Sequence, residues 1–185
     1  MQDGFNEALA AQVAAFFIER SGGEIPVLKL VKLVYLSDRE SMSKTGYPIT
    51  NDQFVSMPHG PVNSLTLNFI DGHCQSSNWS ALISDRANHM VGLSKTITRD
   101  DLDELSDFDI TILEDVWKKF GKMDRWEIRD WTHEHCPEWE DPKGSCIPIP
   151  HERVLKYLGL QHATDLASET ESERHIDITF SQLKV

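Results

Sequence analysis

The segment from Pro26 to Ser43 constrains the fold more than any other part of the sequence. Proline suits the first turn of a helix and so marks a start. From Val27 to Leu36, apolar side chains cover almost the whole circumference of the predicted helix, and only Lys29 and Lys32 interrupt them early on. A helix that is apolar on nearly every side lies in the middle of a domain. We therefore predict that the rest of the chain packs around this helix.

The remaining sequence predicts more helices than strands. Ser106 with Asp109, and Asp124 with Glu127, have the spacing of a capping box, in which two side chains bond the free N–H groups of a helix start. The predicted fold class is mainly α (α+β), a compact helical domain around a central buried helix with a small antiparallel sheet. Further helices are predicted from Phe5 to Arg20, from Pro61 to Ile70, at Thr98, from Ser106 to Phe120, from Asp124 to Pro137 and at Pro150, and strands from Asp52 to Met57, from His89 to Leu93 and from Ile176 to Phe180.

The length of 185 residues fits one domain, or one domain with a small appendage. We expect the domain to span residues 1–160. A polar C-terminal helix and tail are expected over residues 161–185. The alternating stretch from Ile176 to Phe180 would then be available to pair with a sheet edge or with a partner.

Composition and charge limit the partners and the compartment. The 18 basic and 30 acidic residues give a net charge of −12, which repels phosphate backbones and disfavours nucleic acid as a partner. Such a surface favours a basic partner, although it also serves for solubility alone. The odd count of three scattered cysteines argues against disulfides and for a cytoplasmic location. The apolar stretch from Ala8 to Ile18 is too short to cross a membrane, and Asp3 and Glu7 stand where a signal peptide is basic.

Three stretches in a fixed order resemble one protein family. The helix from Leu30 to Glu40 has the form lysine, leucine, hydrophobic residue, tyrosine, and the segment from Gly46 to Val62 has a glycine-x-proline turn, a strand and a glycine–proline–valine ending. Over roughly residues 5–145 the chain is similar to the SocA-like antitoxin family, also called the Panacea domain. A weaker third match comprises Leu105 and Ser106, Trp131 to Glu134, and Pro137 to Trp139.

The resemblance implies a function rather than an active site. Known members are antitoxins of two-component toxin–antitoxin pairs, often carried by phages or prophages, and they neutralise unrelated toxins by binding them. The implied partner is a protein toxin encoded next to this chain. One founding member instead acts as an adaptor that delivers its toxin to the ClpXP protease, so the resemblance also implies this protease as a partner in the adaptor alternative. We expect direct neutralisation of a toxin, with a proteolytic adaptor or a metal- or thiol-dependent enzyme as the alternatives. His59 departs from the aromatic residue that many members have at its position.

Charged side chains on the central helix need partners, because burial of an unpaired charge is costly. Lys32, Asp38 and Arg39 either line a polar groove that receives the toxin or form internal ion pairs that orient the helix. The turn from Pro58 to Pro61 either presents a helix N-terminus at Val62 to an anion or forms a rigid corner between strand and helix. Both alternatives stay open in each case.

His133, His135 and Cys136 are of the types that bind metals or act in catalysis, but their spacing is unsuitable. There is no C-x-x-C pair, even with Cys74 or Cys146 included, and histidines two apart on a helix point to different faces. A thiol and imidazoles that are neighbours in sequence do not make an oriented base with an oxyanion hole. We therefore predict no metal, no cofactor and no enzymatic activity, and interpret His133 as a hydrogen-bonding residue of the core or rim.

Tryptophans are frequent anchors of protein interfaces. Trp117, Trp126, Trp131 and Trp139 lie in the second half and are predicted to be mostly core, with one or two at a helix end available to a partner. Trp79 lies in the polar segment 73–86, predicted to be a loop, and is the best candidate for an exposed aromatic. The candidate partner-binding residues are Lys32, Tyr35, Asp38, Arg39, His59, Gly60, Pro61, Trp79, His133 and Trp139.

Overall fold

Helices surround one long helix in the computed structural model, which describes residues 4–170 and 172. The predicted fold class, mainly α with a small antiparallel sheet, is confirmed. The first half contains α1 (Glu7–Arg20), β1 (Glu24–Pro26), α2 (Val27–Thr45), β2 (Phe54–Met57), β3 (Gly60–Asn63), α3 (Ser64–Ile70) and α4 (Ser77–Leu82). The second half contains β4 (Met90–Gly92), a 3-10 helix (Arg99–Leu102), α5 (Asp107–Phe120), α6 (Arg125–His135), β5 (Ile147–Ile149), α7 (His151–Tyr157) and a further helix, α8, over 163–170.

The buried centre of the domain is α2, as predicted. Every residue from Leu30 to Asp38 is buried, including the charged side chain of Lys32. Helices α1, α5 and α6 and strand β3 pack around it. It ends at Gly46, whose φ of 87° is left-handed and lets its N–H bond the carbonyl of Met42. The C-terminal end of α2 is therefore fixed by a glycine cap.

Two small antiparallel sheets complete the fold. Strands β3, β2 and β5 form one sheet in that order, and β1 pairs with β4 in the other. In the β2–β3 hairpin, Ser56 pairs with Pro61 and Val55 with Val62. The prediction that Pro61 starts a helix is therefore wrong, and this removes the alternative of a free helix N-terminus at Val62.

The carboxylate of Asp52 sets the start of α3 at Ser64 instead. Its Oδ1 atom accepts a hydrogen bond from the backbone N–H of Leu65 at 2.9 Å, and Oδ2 accepts one from that of Thr66 at 2.8 Å. Such N–H groups have no partner inside the first turn of a helix. A distant side chain, rather than the local proline, therefore decides where this helix begins.

The segment 73–86 is not wholly a loop, since it contains α4. The Ser76 hydroxyl accepts a hydrogen bond from the N–H of Trp79 at 3.1 Å and caps the helix. This turns Trp79 inward, where its ring stacks on Phe69 at a centroid distance of 5.3 Å and is only 6% exposed. The prediction that Trp79 is exposed is therefore wrong.

Helix starts that the sequence marks with capping boxes are confirmed. The Ser106 hydroxyl accepts from the N–H of Asp109 at 3.1 Å, and the Asp109 carboxylate accepts from the N–H of Ser106 at 3.0 Å. Asp124 and Glu127 make the same reciprocal pair at the start of α6. Local sequence therefore fixes where α6 starts, and this first turn belongs to the site described below.

Helix α8 packs against the rest of the described chain. Ala163 and Ala167 are buried in the hydrophobic core, and a Cβ atom added to Gly46 would lie 3.0 Å from a methyl group of Leu166. The predicted strand from Ile176 to Phe180 lies outside the described residues, and the domain boundary near residue 160 stays a prediction. In residues 4–170 and 172, no helix is both long enough and apolar enough to cross a membrane.

Candidate functional site

A buried carboxylate, that of Glu138, links α2 to the segment that follows α6. Its Oε1 atom accepts hydrogen bonds from the Tyr35 hydroxyl and from Arg39 Nε, each at 2.6 Å. The Glu138 side chain is 0% exposed and that of Arg39 is 17% exposed. Burial, reinforced by the Glu138 charge, raises the pKa of Tyr35 well above its usual value, so the hydroxyl stays a donor. For Arg39, the alternative of an internal ion pair is the one observed.

The carboxylate of Asp38 bonds groups other than those that Arg39, the next residue in the chain, contacts. Its Oδ1 accepts from the N–H of Thr50 at 2.9 Å, and its Oδ2 accepts from the Thr50 hydroxyl at 2.5 Å and the Asn63 amide at 2.6 Å. Burial raises the pKa of Asp38 to about 6, although these hydrogen bonds act in the opposite direction. Asp38 therefore links α2 to the segment before β2 and to β3.

Lys32 lies where α2, β3 and α6 meet. Its Nζ atom donates to the Pro61 carbonyl at 2.8 Å. A Cβ atom on Gly60 would lie 3.0 Å from this Nζ and 2.8 Å from the Thr132 hydroxyl, so the hairpin approaches α6 too closely for a side chain. Burial is the main cause that lowers the pKa of Lys32 from 10.5 to about 7. Its ammonium charge is therefore only partly present near neutral pH.

His133 and Trp139 stack on each other beside the hairpin. Their ring centroids are 4.1 Å apart with planes at 8°, and the Trp139 indole N–H donates to the Met57 carbonyl at 2.9 Å. Burial, followed by the charge of Lys32, lowers the pKa of His133. Its Nε2 atom is buried without a hydrogen-bond partner among the described residues. The expectation of a hydrogen-bonding histidine is therefore not met at Nε2, and the contact that holds the ring is its stacking on Trp139.

A groove of about 590 Å³ opens between the start of α2, the β2–β3 turn, α3, the loop before β4 and the first turn of α6. We call it the α2–α6 groove. Its lining combines a mostly apolar surface with a few charged groups, a composition typical of binding sites. The apolar lining includes Val27, Val31, Met57, Val62, Leu67 and Trp126, and the charged or titratable lining consists of Lys32, His59, Asp71, Arg86, His89 and Arg125.

Trp126 is the exposed aromatic of the α2–α6 groove. It is 43% exposed, and the His59 ring meets it at a centroid distance of 6.1 Å and an angle of 74°. The guanidinium groups of Arg125 and Arg129 lie 5.0 and 4.9 Å from its ring centroid. These cation–π contacts position the indole while leaving nearly half of it accessible. Tryptophan and arginine are the residue types most enriched among interface hot spots.

The comparison with protein-family models gives the identity of the fold. The model of the SocA-like antitoxin, Panacea domain, matches residues 30–140, which is more than half of the chain. The chain belongs to this family. A comparison with curated proteins and one with solved structures found no match. The family match covers α2 from Leu30 onward, the hairpin, α5 and α6, and hence most of the α2–α6 groove.

In this Panacea-domain protein, most of the predicted partner-binding residues lie around α2 and the hairpin, but only two line the groove. The others act mainly within the fold. Lys32 and His59 line the groove, and Gly60, Pro61 and His133 lie next to Lys32, with Trp139 stacked on His133. Tyr35 and Arg39 both bond Glu138, and Asp38 bonds Thr50 and Asn63. Trp79 packs on Phe69.

Sequence reasoning named Trp126 only as one of four tryptophans, of which one or two were expected to be available to a partner, and it did not name Arg125, Arg86 or His89 as site candidates. Arg125 and Trp126 directly follow the Asp124 cap, so their place in the first turn of a helix could have indicated exposure. Arg86 and His89 lie in the loop before β4, and its path depends on the pairing of β4 with β1, for which no local signal exists. The burial of Arg39 required an acidic partner, but the sequence alone could not show that this partner is Glu138.

The histidines and cysteine at the end of α6 do not converge on one point. His135 stacks on Trp131 at 4.4 Å, and its Nδ1 lies 3.0 Å from the Trp131 carbonyl. Burial raises the pKa of Cys136 to about 12, opposite to what an activated thiolate requires. Among residues 4–170 and 172, no three His, Cys, Asp or Glu side chains gather as a metal site would need. The family is typically non-catalytic. The absence of metal and activity stays a prediction.

Proposed function

We propose that this SocA-like antitoxin neutralises a protein toxin by binding it in a stoichiometric complex, and that the toxin docks on the α2–α6 groove. The observation that supports this most is the position of Trp126. In the described part of the chain the large exposed apolar side chains are Phe108, Trp126 and Tyr157, and of these Trp126 lines the groove. The proposal includes a cytoplasmic complex, with the toxin encoded next to the antitoxin on a phage or prophage.

Occlusion needs an apolar anchor that slows release and a polar rim that excludes water, and the groove offers both. Chemical modification of the toxin would need an activated group. The thiol of Cys136 is buried with a raised pKa, and the His133 imidazole is stacked on Trp139. These observations favour binding over modification as the means of neutralisation.

Co-expression with the product of the adjacent gene tests the proposal. We expect the wild-type chain to restore growth and to co-purify with the toxin at a fixed ratio. Trp126→Ala should weaken the complex by at least about tenfold, since hot-spot tryptophans contribute about 2 kcal/mol or more. Phe108→Ala is the matched control, because Phe108 is 49% exposed but does not line the groove. Restored growth without any complex, or equal losses in both variants, would contradict the proposal.

Delivery to a protease is separated from occlusion in cells that lack ClpXP. If occlusion suffices, growth is restored in these cells and the toxin stays abundant. If the chain is an adaptor, growth is not restored although the two proteins still co-purify. We expect the first outcome, because adaptor action is the rarer behaviour among the antitoxins that the chain resembles.

A further inference from the structure

The α2–α6 groove is locally positive on a chain that is acidic as a whole. The chain has a net charge of −12, yet among the described residues the groove is lined by Lys32, whose charge is partial near neutral pH, by Arg86 and Arg125, and by a single acidic residue, Asp71. In a groove with apolar walls, the nearest charges dominate the field that a ligand meets. The groove therefore favours an anionic group, whereas the net charge alone would favour a basic partner.

The acidic residue of the groove is already paired. Its carboxylate, that of Asp71, accepts a hydrogen bond from Arg86 in an ion pair. Arg125 makes no ion pair with any described residue, and its guanidinium lies over the ring of Trp126. An arginine can bind a carboxylate through two parallel N–H groups while its planar face stays on an aromatic ring. The positive charge of Arg125, which interacts with the nearby Asp124 carboxylate without forming an ion pair with it, therefore lies beside the exposed indole.

Beside the charged groups, the groove also has an apolar surface. Val31 and Val62 are buried, and Met57 and Leu67 are partly buried, so their exposed atoms form a surface that excludes water. The volume of about 590 Å³ lies in the range of sites that hold drug-sized ligands. It has room for a short peptide segment rather than for a single small ion.

We propose that the α2–α6 groove binds a segment of the partner protein that carries a carboxylate next to a large apolar side chain, with the carboxylate on Arg125 and the apolar side chain against Val31, Val62 and Trp126. The inference rests on the proposed function for the identity of the partner as a protein. It goes further by naming the chemistry of the segment. Recognition of acidic motifs by arginine, with an apolar anchor beside it, has the physical basis described above.

Selection of random peptides displayed on phage against the purified full chain tests this chemistry without knowledge of the toxin. We expect the enriched peptides to carry Asp or Glu within one or two positions of Leu, Phe or Trp. Their binding should fall at least tenfold with Arg125→Glu and with Trp126→Ala. Enrichment of basic peptides, or binding unaffected by Arg125→Glu, would overturn the inference.

Lys122→Glu is the matched control for the charge reversal. It changes the net charge by the same amount, and Lys122 is exposed, three residues from Arg125 and outside the groove lining. We expect binding within twofold of the wild type for this variant. Equal losses in the two variants would mean that net charge rather than the groove is responsible. Far-UV circular dichroism of each variant checks that it is folded.

Two other occupants would also overturn the inference. A synthetic peptide with the sequence of residues 171–185 that binds the groove would identify the chain itself as the occupant. A dimer in sedimentation experiments that dissociates with Trp126→Ala would identify a second copy. If the toxin binds but is insensitive to Arg125→Glu, the inference fails and the proposed function stands. If no toxin binds at all, the proposed function fails, and the peptide selection still tests the groove.

Discussion

Arg39 and Glu138 are 99 residues apart in the chain, yet they form an ion pair from which water is largely excluded. An intact buried pair contributes little net stability, because both charges lose their hydration. Removal of one partner is different, since it leaves the other charge buried and uncompensated. Tyr35 donates to the same oxygen of Glu138, so the loss of this carboxylate would affect two groups of α2 at once.

Glu138→Gln keeps the shape of the side chain and removes its charge. We expect the free energy of unfolding, measured by urea denaturation, to fall by about 3 kcal/mol, the usual effect of breaking a buried pair. Glu140→Gln is the control, because it breaks an exposed pair with Arg153 and should cost less than about 1 kcal/mol. Losses of the same size would show that the Arg39–Glu138 pair is not more strongly desolvated than the surface pair.

Lys32→Met should change how stability depends on pH. The unfolded chain keeps the lysine pKa near 10.5, whereas the folded chain has a pKa of about 7, so between these values the unfolded state binds more protons. The contribution of Lys32 to the free energy of unfolding is therefore present above pH 10.5 and is lost as the pH falls through 7.

The pH dependence is measured as the difference in the free energy of unfolding between wild type and Lys32→Met. From about pH 7 to about pH 8.5 we expect this difference to shift in favour of the wild type by about 1–2 kcal/mol. Methionine has a similar length and does not titrate, so other groups cancel in the comparison. A difference that stays flat over this range would contradict a strongly lowered pKa for Lys32.

At the scale of elements, the contact between the β2–β3 hairpin and α6 limits the site most tightly. Gly60 starts β3 with a φ of 96°, and the space for a Cβ atom there is taken by Thr132 of α6 and Lys32 of α2. The hairpin is therefore held against both helices by backbone contact. This contact sets the position of His59, which precedes Gly60 and meets Trp126 in the groove.

Gly60→Ala should destabilise the protein more than a glycine substitution with the same backbone strain. Gly22 is the matched control, because its φ of 93° is almost the same and a Cβ atom there would meet nothing within 4 Å. We expect about 1–2 kcal/mol of destabilisation for Gly22→Ala from the left-handed conformation alone. Gly60→Ala should cost about 1–3 kcal/mol more, because of overpacking against α6. Equal thermal unfolding midpoints for Gly60→Ala and Gly22→Ala would contradict the close approach of the Gly60 backbone to α6.

At the scale of the whole molecule, local patterns predicted the elements but not their meeting points. The apolar circumference of α2 and the capping boxes at Ser106 and Asp124 depend only on neighbouring residues, and all of them are observed. The start of α3 depends on Asp52, which lies 13 residues before Leu65. A proline at position 61 gave the wrong start because Pro61 also fits a strand at a sheet edge.

The candidate site could be predicted only in part, for the same reason. The need of Arg39 for a partner followed from burial, but Glu138 could not be identified without the fold. For Trp79 the sequence predicted exposure, because the surrounding segment is polar. The fold places Phe69 against its ring and buries it. The α2–α6 groove is lined by five separate segments of the chain, so no single stretch of sequence carries its signature.

The order β3–β2–β5 has a consequence for self-association, because both outer strands contain a proline, Pro61 in β3 and Pro148 in β5. Proline has no N–H to offer a further strand, and the Pro61 carbonyl is already bonded by Lys32. Neither edge therefore presents the continuous row of donors and acceptors on which foreign strands assemble into aggregates. On the proposal that a partner binds in the α2–α6 groove, it would do so without adding a strand to the β3–β2–β5 sheet.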